Sequence, residues 1–487
     1  MPVKEQTRGA KLAEKVAAAV LEDIALQGWP VGKVVATMAE LTSRYGAGQA
    51  TVAEASRQLE RIGVAEVRRG VNGGLVVLRS PQDAVAWTVA TYFELVDVSL
   101  AEQVETWTVI QGHSLILAAQ RLREPDARRL RELAQELKDV SDGGEFYNKL
   151  SGLELAIVDA AQNRATSFLA RVFEPYWYRR GWDKLFADLH GAEGERIARG
   201  MAEVVEALVA GDAGLAASCH PHRNGFLGKV IEERSPSFAV LPPRPQEDRK
   251  LGEATALAVR SDIVRRGLQP GDRLGQMSDL LLRFRVGVPA MREAIGLLEL
   301  HHIASSKPGR GGGVVVGAPC SGYTAQTMAE FLLHTDIHPC EMFDIWRDLL
   351  VAAVDKAVRG PARDIGIALR NALQAEHAAA GYQILQATNS YYRAIASVAP
   401  NRMLSLLVDA CAEFLARYPW PVPRQQIVAF TAARHEAIAE AMVVGDAPLA
   451  RRRMLDFLMD VRPYFNDVTS VAEAPPSELG NRPRGPI

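Results

Sequence analysis

Cysteine is scarce in this chain. Four residues, Cys219, Cys320, Cys340 and Cys411, are spread over 487 positions, and no two make a CxxC pair. That spacing argues against a disulfide framework or a zinc site and for reduced thiols in a cytosol. Also missing is any apolar run near the ~20 residues that a membrane span needs. The opening MPVKEQTRGAKLAEK has no apolar signal-peptide core. A cytoplasmic protein without membrane contact is expected. Catalytic signatures are absent too: no nucleophile elbow, P-loop, HExxH or GxGxxG constellation occurs. The GRGGG at 309–313 lies between SSKP and VVV, so it reads as a hairpin turn and not as a phosphate loop opening a helix. No enzyme is expected.

A net charge of one sign is lacking as well, the formal value being −2. The distribution is uneven, however. Residues 249–317 hold eleven Lys/Arg against six Asp/Glu, and residues 1–80 hold eleven against eight. Two locally basic segments in a neutral chain suit phosphate contact.

What the chain has is an internal repeat. At a fixed offset of 239, residues 38–77 and 277–316 share fourteen identities in forty gapless positions, among them Met38/Met277, Arg44/Arg283, Glu54/Glu293 and Gly70/Gly309. Each copy reads as a helix (Lys11–Gln27; Leu251–Arg266), a Pro/Gly turn and a second helix. In the first copy that second helix opens at Thr37, where Thr37 and Glu40 have capping-box spacing. A short break and a third helix from Gly48 or Gly287 follow. Then β-prone residues flank a Gly-rich turn, VAEVRRGVNGGLVVL and IASSKPGRGGGVVVG. Helix, helix, break, helix, hairpin is a winged helix-turn-helix. The offset holds downstream, where Glu105 and Trp107 align with Asp344 and Trp346. After small slips, VDAAQNRATSFL matches ASVAPNRMLSLL, and ALVAGDAGLAA matches AMVVGDAPLAR.

With PGDRL, MREAI and PGRGGGVVV in the second copy, both segments resemble the GntR-type DNA-binding domain. The helical segments resemble the all-α ligand-binding domain of the FadR branch of that family. The expected fold is therefore mainly α. Two winged helix-turn-helix domains, each with a small β-hairpin wing, would occupy 1–80 and 250–318. Two all-α helical-bundle effector domains would occupy 81–233 and 319–465, with a Pro-rich linker at 234–249 and a disordered tail at 466–487.

The resemblance implies a transcription regulator that binds a double-stranded DNA operator. The third helix of each winged domain would enter the major groove. Arg292 could fork onto a guanine, Gln49 could read adenine, and Thr51 could touch phosphate or a thymine methyl. Thr37, Arg57, Arg68, Arg69, Arg273, Ser278, Pro289, Lys307 and Arg310 complete the expected DNA face. The family usually starts the recognition helix with Arg, whereas Gln49 and Val288 stand here, and Ala53 matches Arg292. Many family members also hold a divalent metal with an Asp or Asn and three His. The corresponding positions carry Leu150, Glu154 and Met201, then Thr388, Tyr392, His435 and Phe457, with His220 and His222 as near misses. One clean histidine is not a metal site, so no cofactor is expected. What remains is a pocket for a small anionic effector, assigned to Trp107, Glu154, Arg179, Trp346, Arg347, Tyr391, Tyr392, Arg417 and His435. Aromatics at helical spacing are equally the mark of plain core. An architectural DNA-binding protein whose helical domains hold no small molecule is the competing reading. Two units in one chain would form an intramolecular pseudo-dimer on a two-half-site operator, open to further self-association.

Overall fold

A computed structural model describes residues 32–61, 64–68, 73–77, 81–140, 143–180, 191–221, 251–307, 313–333, 335–379, 383–418 and 425–465, with isolated positions elsewhere. The expected linker 234–249 and tail 466–487 lie outside the described residues. The described chain is largely helical, with two three-stranded sheets.

The first sheet, β1 (Val34–Ala36), β2 (Ala65–Arg68) and β3 (Gly74–Val77), has the order β1-β3-β2. Its helices are α1 (Met38–Tyr45) and α2 (Gln49–Arg61). Helix α1 starts at Thr37, whose hydroxyl accepts the Glu40 N–H at 3.2 Å while the Glu40 carboxylate accepts the Thr37 N–H at 2.7 Å. It stops at Gly46, in the left-handed region at φ 58°. The second winged helix repeats the plan with α11 (Leu251–Arg265), β4 (Arg273–Gly275), α12 (Met277–Phe284), α13 (Val288–Leu300), β5 (Ala304–Lys307) and β6 (Gly313–Val316), ordered β4-β6-β5.

Strand register repeats as well: Val34 faces Val76 as Arg273 faces Val315, and Ala65 faces Val77 as Ala304 faces Val316. Each partner is 239 positions on. The same holds for side chains. Arg44 pairs with Asp23 at 3.1 Å, and Arg283 with Asp262 at 3.0 Å. Glu60 accepts the Val67 N–H at 2.7 Å, and Glu299 the Ser306 N–H at 2.6 Å. Gly74 and Gly313 sit at φ +155° and +139°, where a Cβ would stand 2.6 Å from the carbonyl oxygen of Ala36 or Gly275. Many of the shared letters are thus folding contacts.

Behind the first wing come α3 (Pro81–Val96), α4 (Leu100–Arg121), α5 (Glu124–Lys138), α6 (Gly143–Ala160), α7 (Arg164–Arg171), α8 (Glu174–Arg180), α9 (Ala192–Val209) and α10 (Ala213–Cys219). Behind the second come α14 (Gly322–Leu332), α15 (Pro339–Ala357), α16 (Ala362–Ala378), α17 (Gln383–Val398), α18 (Arg402–Arg417), α19 (Gln425–Val444) and α20 (Ala447–Val461). The two sequence landmarks used for alignment are helix caps. Asn163 and Asn401 accept the N–H groups of Thr166 and Leu404, and Asp212 and Asp446 those of Leu215 and Leu449.

The chain divides into two compact units, Met1–Gln162 with Ser167–His334, and Asn163–Thr166 with Thr335–Ile487. This departs from the expected borders. The first unit holds both winged helices and the first bundle, and it also takes α14, expected to open the second effector domain at 319. The reason is packing: Phe331 of α14 stacks on Phe168 of α7 with centroids 5.3 Å apart. Helix α3 is likewise committed to the second winged helix. Leu95 belongs to that domain's buried core together with Val259, Leu280, Met291 and Leu298.

Candidate functional sites

The DNA faces expected from the sequence fall on α2 and α13. Helix α13 starts at Gly287, with Pro289 in its first turn supplying a preset φ where no N–H is needed. Its inward stripe is Ala290, Met291, Ala294, Ile295 and Leu298. That leaves Arg292 exposed, with no hydrogen bond or ion pair among the described residues. On α2, Gln49 is exposed and Thr51 half-buried. Arg57 is held by Glu54 at 2.6 Å, one turn back on the same helix. Arg68 is likewise drawn to Glu66 at 2.9 Å. Ser278, Arg273 and Lys307 are exposed on α12, β4 and β5. Thr37 spends its hydroxyl on the helix cap described above. Arg69 and Arg310 lie outside the described residues. Arg285, which the sequence reading did not select, is exposed in the turn before α13 at φ 54°.

In the first bundle a small pocket, open to solvent, is lined by Gln103, Val104 and Trp107 of α4, Tyr147, Leu150, Ser151 and Glu154 of α6, Trp177 of α8, and Trp182. Spacings of three and four put these residues on one face of α4 and one face of α6. The Trp107 indole donates to Glu154 Oε2 at 3.1 Å, and Trp182 donates to Gln103 Oε1 at 2.9 Å. Trp177 stands edge-on to Trp107 at 4.8 Å and tilted against Trp182 at 6.1 Å. Fully buried His220 brings Nε2 to 4.0 Å from Glu154 Oε1.

The second bundle uses the matching positions differently. Tyr392 replaces Glu154 and packs edge-on against Trp346 at 4.9 Å. The Trp346 indole N–H is buried without an acceptor. Tyr391 stacks on His435 with centroids 4.0 Å apart, and Phe457 closes on the same imidazole at 4.9 Å. His435 Nδ1 lies 2.9 Å from Glu376 Oε2, and Thr388 donates to Glu376 Oε1 at 2.8 Å. A carboxylate only accepts, so the imidazole donates from Nδ1. Burial is the largest influence on the Glu376 carboxyl and pushes it up, but its interactions with His435 and Thr388 together outweigh burial and the net shift is downward. Burial also lowers His435. A neutral imidazole on a charged carboxylate satisfies both.

The structure therefore brings Trp107 and Glu154 together at a pocket, and Trp346, Tyr391, Tyr392 and His435 together in packed core. Arg347 and Arg417 are engaged elsewhere, with Asp348 at 2.8 Å and Glu413 at 3.2 Å. The Arg179 side chain lies outside the described residues, as do Trp420 and His222. Gln103, Tyr147, Ser151, Trp177 and Glu376 escaped the sequence reading. The stripe Tyr147, Leu150, Ser151, Glu154 was there to be found from Glu154 by helical period. Glu376 had no such signal, because its partner is 59 residues away.

The donor set does not fit the divalent metal of the resembling family. Leu150 and Met201 offer nothing, and in the second bundle His435 has turned Nδ1 to Glu376 among Tyr392, Thr388 and Phe457. Among the described residues no group of three or more His, Cys, Asp or Glu could hold a metal ion.

Comparison with known proteins bears on the first bundle. Residues 103–222 match the FCD domain. That stretch contains the whole lining of the first pocket. RmpR of Mycobacterium gastri, carried under the name of an HTH-type transcriptional regulator, is 31% identical over 130 residues, which are 26% of this chain. Those residues span 46% of RmpR, so the match covers about half of that protein. Among solved structures, a GntR protein of Streptococcus agalactiae (16% identity, TM-score 0.31) aligns with 46% of this chain and 99% of its own. McbR/YncC of E. coli (16%, 0.21) aligns with 47% of this chain and 97% of its own. Scores this low carry no argument. Among the described residues no helix is long and apolar enough to cross a membrane.

Proposed function

We propose that the chain is a GntR-type transcription regulator of the FadR branch, arisen by tandem duplication, that reads a DNA operator with two winged helices and answers to a small molecule in its first FCD domain. The observation that carries the reading is the position of α3. On one side Phe93 packs on Phe173 and on Tyr176 of α8, the helix that brings Trp177 to the pocket. On the other side α3 docks into the second winged helix. There Thr91 donates to Glu253 at 3.0 Å in a buried bond, Tyr92 packs on His301 at 5.4 Å, and Asp97 pairs with Arg260 at 3.2 Å. A ligand that moves α8 would bear on α3, and through it on the domain that presents Arg292.

The same helix favours half-sites read within one chain. A helix that follows the first wing and completes the second winged core ties the two DNA readers together without a second subunit. Two half-sites one turn apart, ~34 Å, would then be met by one polypeptide. Divergence of Gln49 and Ala53 from Val288 and Arg292 fits an asymmetric operator. Light scattering combined with footprinting tests this. One chain protecting two unlike half-sites, with affinity falling steeply as salt rises, is expected. Two chains on a symmetric site would overturn the pseudo-dimer, and salt-independent binding would overturn DNA recognition itself.

A further inference from the structure

We infer that three arginines gathered on Asp262 bind the phosphate backbone of the operator, at a surface of the second winged helix separate from the base-reading face of α13. The inference rests on the DNA reading and extends it to residues outside the expected DNA face. Asp262, in the last turn of α11, is only 3% exposed. Three guanidiniums nonetheless converge on it: Arg265 at 2.5 Å, Arg266 at 3.3 Å and Arg283 of α12 at 3.0 Å. One carboxylate needs one cation, so this group carries two positive charges beyond what Asp262 balances. Like charges this close repel, and an arriving anion relieves the repulsion.

The group is also held in place. Arg266 and Arg283 both donate to the Leu274 carbonyl of β4, at 3.2 and 3.4 Å, so each is fixed from two sides. A guanidinium has five N–H donors in a rigid fork, more than these acceptors use. The Arg265 side chain is 78% exposed, and those of Arg266 and Arg283 are 36% and 35% exposed. Guanidiniums fixed in advance lose little freedom on meeting a phosphate, and their forks match its two free oxygens. Arg283 lies in the last turn of α12, and the turn through exposed Arg285 leads straight into α13. A backbone contact here would set the position of α13 without reading sequence. The first winged helix is built differently. Its Asp23 takes Arg44 at 3.1 Å and the Tyr45 hydroxyl at 2.6 Å. Leu26 and Gln27 stand where the second copy has Arg265 and Arg266. The added charge is thus a property of one copy, and so is the phosphate contact it would make.

The test uses the full chain and a duplex carrying the operator that footprinting defines, with affinity measured over a range of salt. Arg265→Gln combined with Arg266→Gln leaves Asp262 its Arg283 partner. This variant should bind about tenfold more weakly at low salt, by a similar factor on operator and on scrambled duplex, and its salt slope should be shallower by about 1 to 2. Single neutral methylphosphonate linkages, scanned through the duplex, then locate the contact. At one or two positions flanking the second half-site they should weaken the wild type several-fold and leave the variant little affected. The wild-type scan, with Arg265→Gln alone, carries the test even if the double variant does not fold. A variant with the wild-type slope overturns the inference, as does a linkage scan identical in the two proteins. A loss confined to the operator duplex also overturns it, since that would mean base reading. Each of these outcomes leaves the DNA reading intact, whereas a wild type that binds no duplex defeats both.

Discussion

The two helical bundles share matching stretches of sequence but have differently built interiors. In the first, Trp107 hands its indole N–H to Glu154 beside an open pocket. In the second, Trp346 has Tyr392 where that carboxylate would be, and its N–H finds no acceptor. The volume is taken up by Tyr391, Tyr392 and Phe457 around His435, whose charge partner Glu376 came from another helix. A carboxylate thus stands at the pocket in the first bundle, and a phenol ring stands at the matching position among packed rings in the second.

The contrast is broken most severely at Glu376. Replacing it with Ala leaves buried His435 and half-buried Thr388 without their acceptor, and should cost about 4 kcal/mol. Glu154→Gln, beside an open pocket, should cost under about 1 kcal/mol by the same reasoning. Urea denaturation of both variants measures the difference, and equal losses would mean that the first interior is as closed as the second.

Next comes acid. His301 has its pKa pushed down to about 4 by burial, with His302 adding to the shift, while an unfolded imidazole titrates near 6.5. The unfolded chain thus takes the proton more readily. Stability is complete above about pH 6.5 and is lost as pH falls toward 4, by up to about 3 kcal/mol. Ile62 occupies the matching position of the first winged helix, so acid should loosen the second one selectively. His301→Leu should flatten the pH profile of the melting temperature across that window; an unchanged slope would place the acid sensitivity elsewhere.

The winged helices differ more mildly in what they offer DNA. Arg292→Ala should weaken operator binding by about 2 kcal/mol and relax base preference at one position. Arg57→Ala should cost less, because Glu54 already holds that guanidinium. Quantitative footprinting of the two half-sites separates them, and a larger loss from Arg57 would reverse the assignment of the stronger reader.

The smallest effect lies in the turn between the two helices of each reader. Gly46 and Arg285, 239 positions apart, adopt the same left-handed conformation at φ 58° and 54°. Arg285→Gly should therefore stabilise the second winged helix, and Gly46→Ala destabilise the first, each by about 1 kcal/mol. Opposite shifts in melting temperature are the expected result.

Much of this molecule could be read before any coordinates. The repeat offset, the capping box at Thr37 and the helix–helix–wing order follow from interactions between residues a few positions apart. A cap needs a side chain within three residues, and an amphipathic face needs only its own period. The pocket was half legible for the same reason: Trp107 and Glu154 were chosen, and the rest of their helix faces could have followed.

Three-dimensional packing decided the remainder. Whether a ring at a helical position leaves a cavity or fills one depends on which side chains the other helices bring to it, and no single helix encodes that. Nothing near Glu376 in the chain announces His435. Nothing near Thr91 announces Glu253, 162 positions on, through which α3 joins a winged helix other than the one it follows. The sequence alone determined the parts and their order, because those depend on local geometry. Only the tertiary structure decided how rings and carboxylates are arranged inside each bundle, and that α3 packs into the second winged helix, because both depend on contacts made across the whole chain.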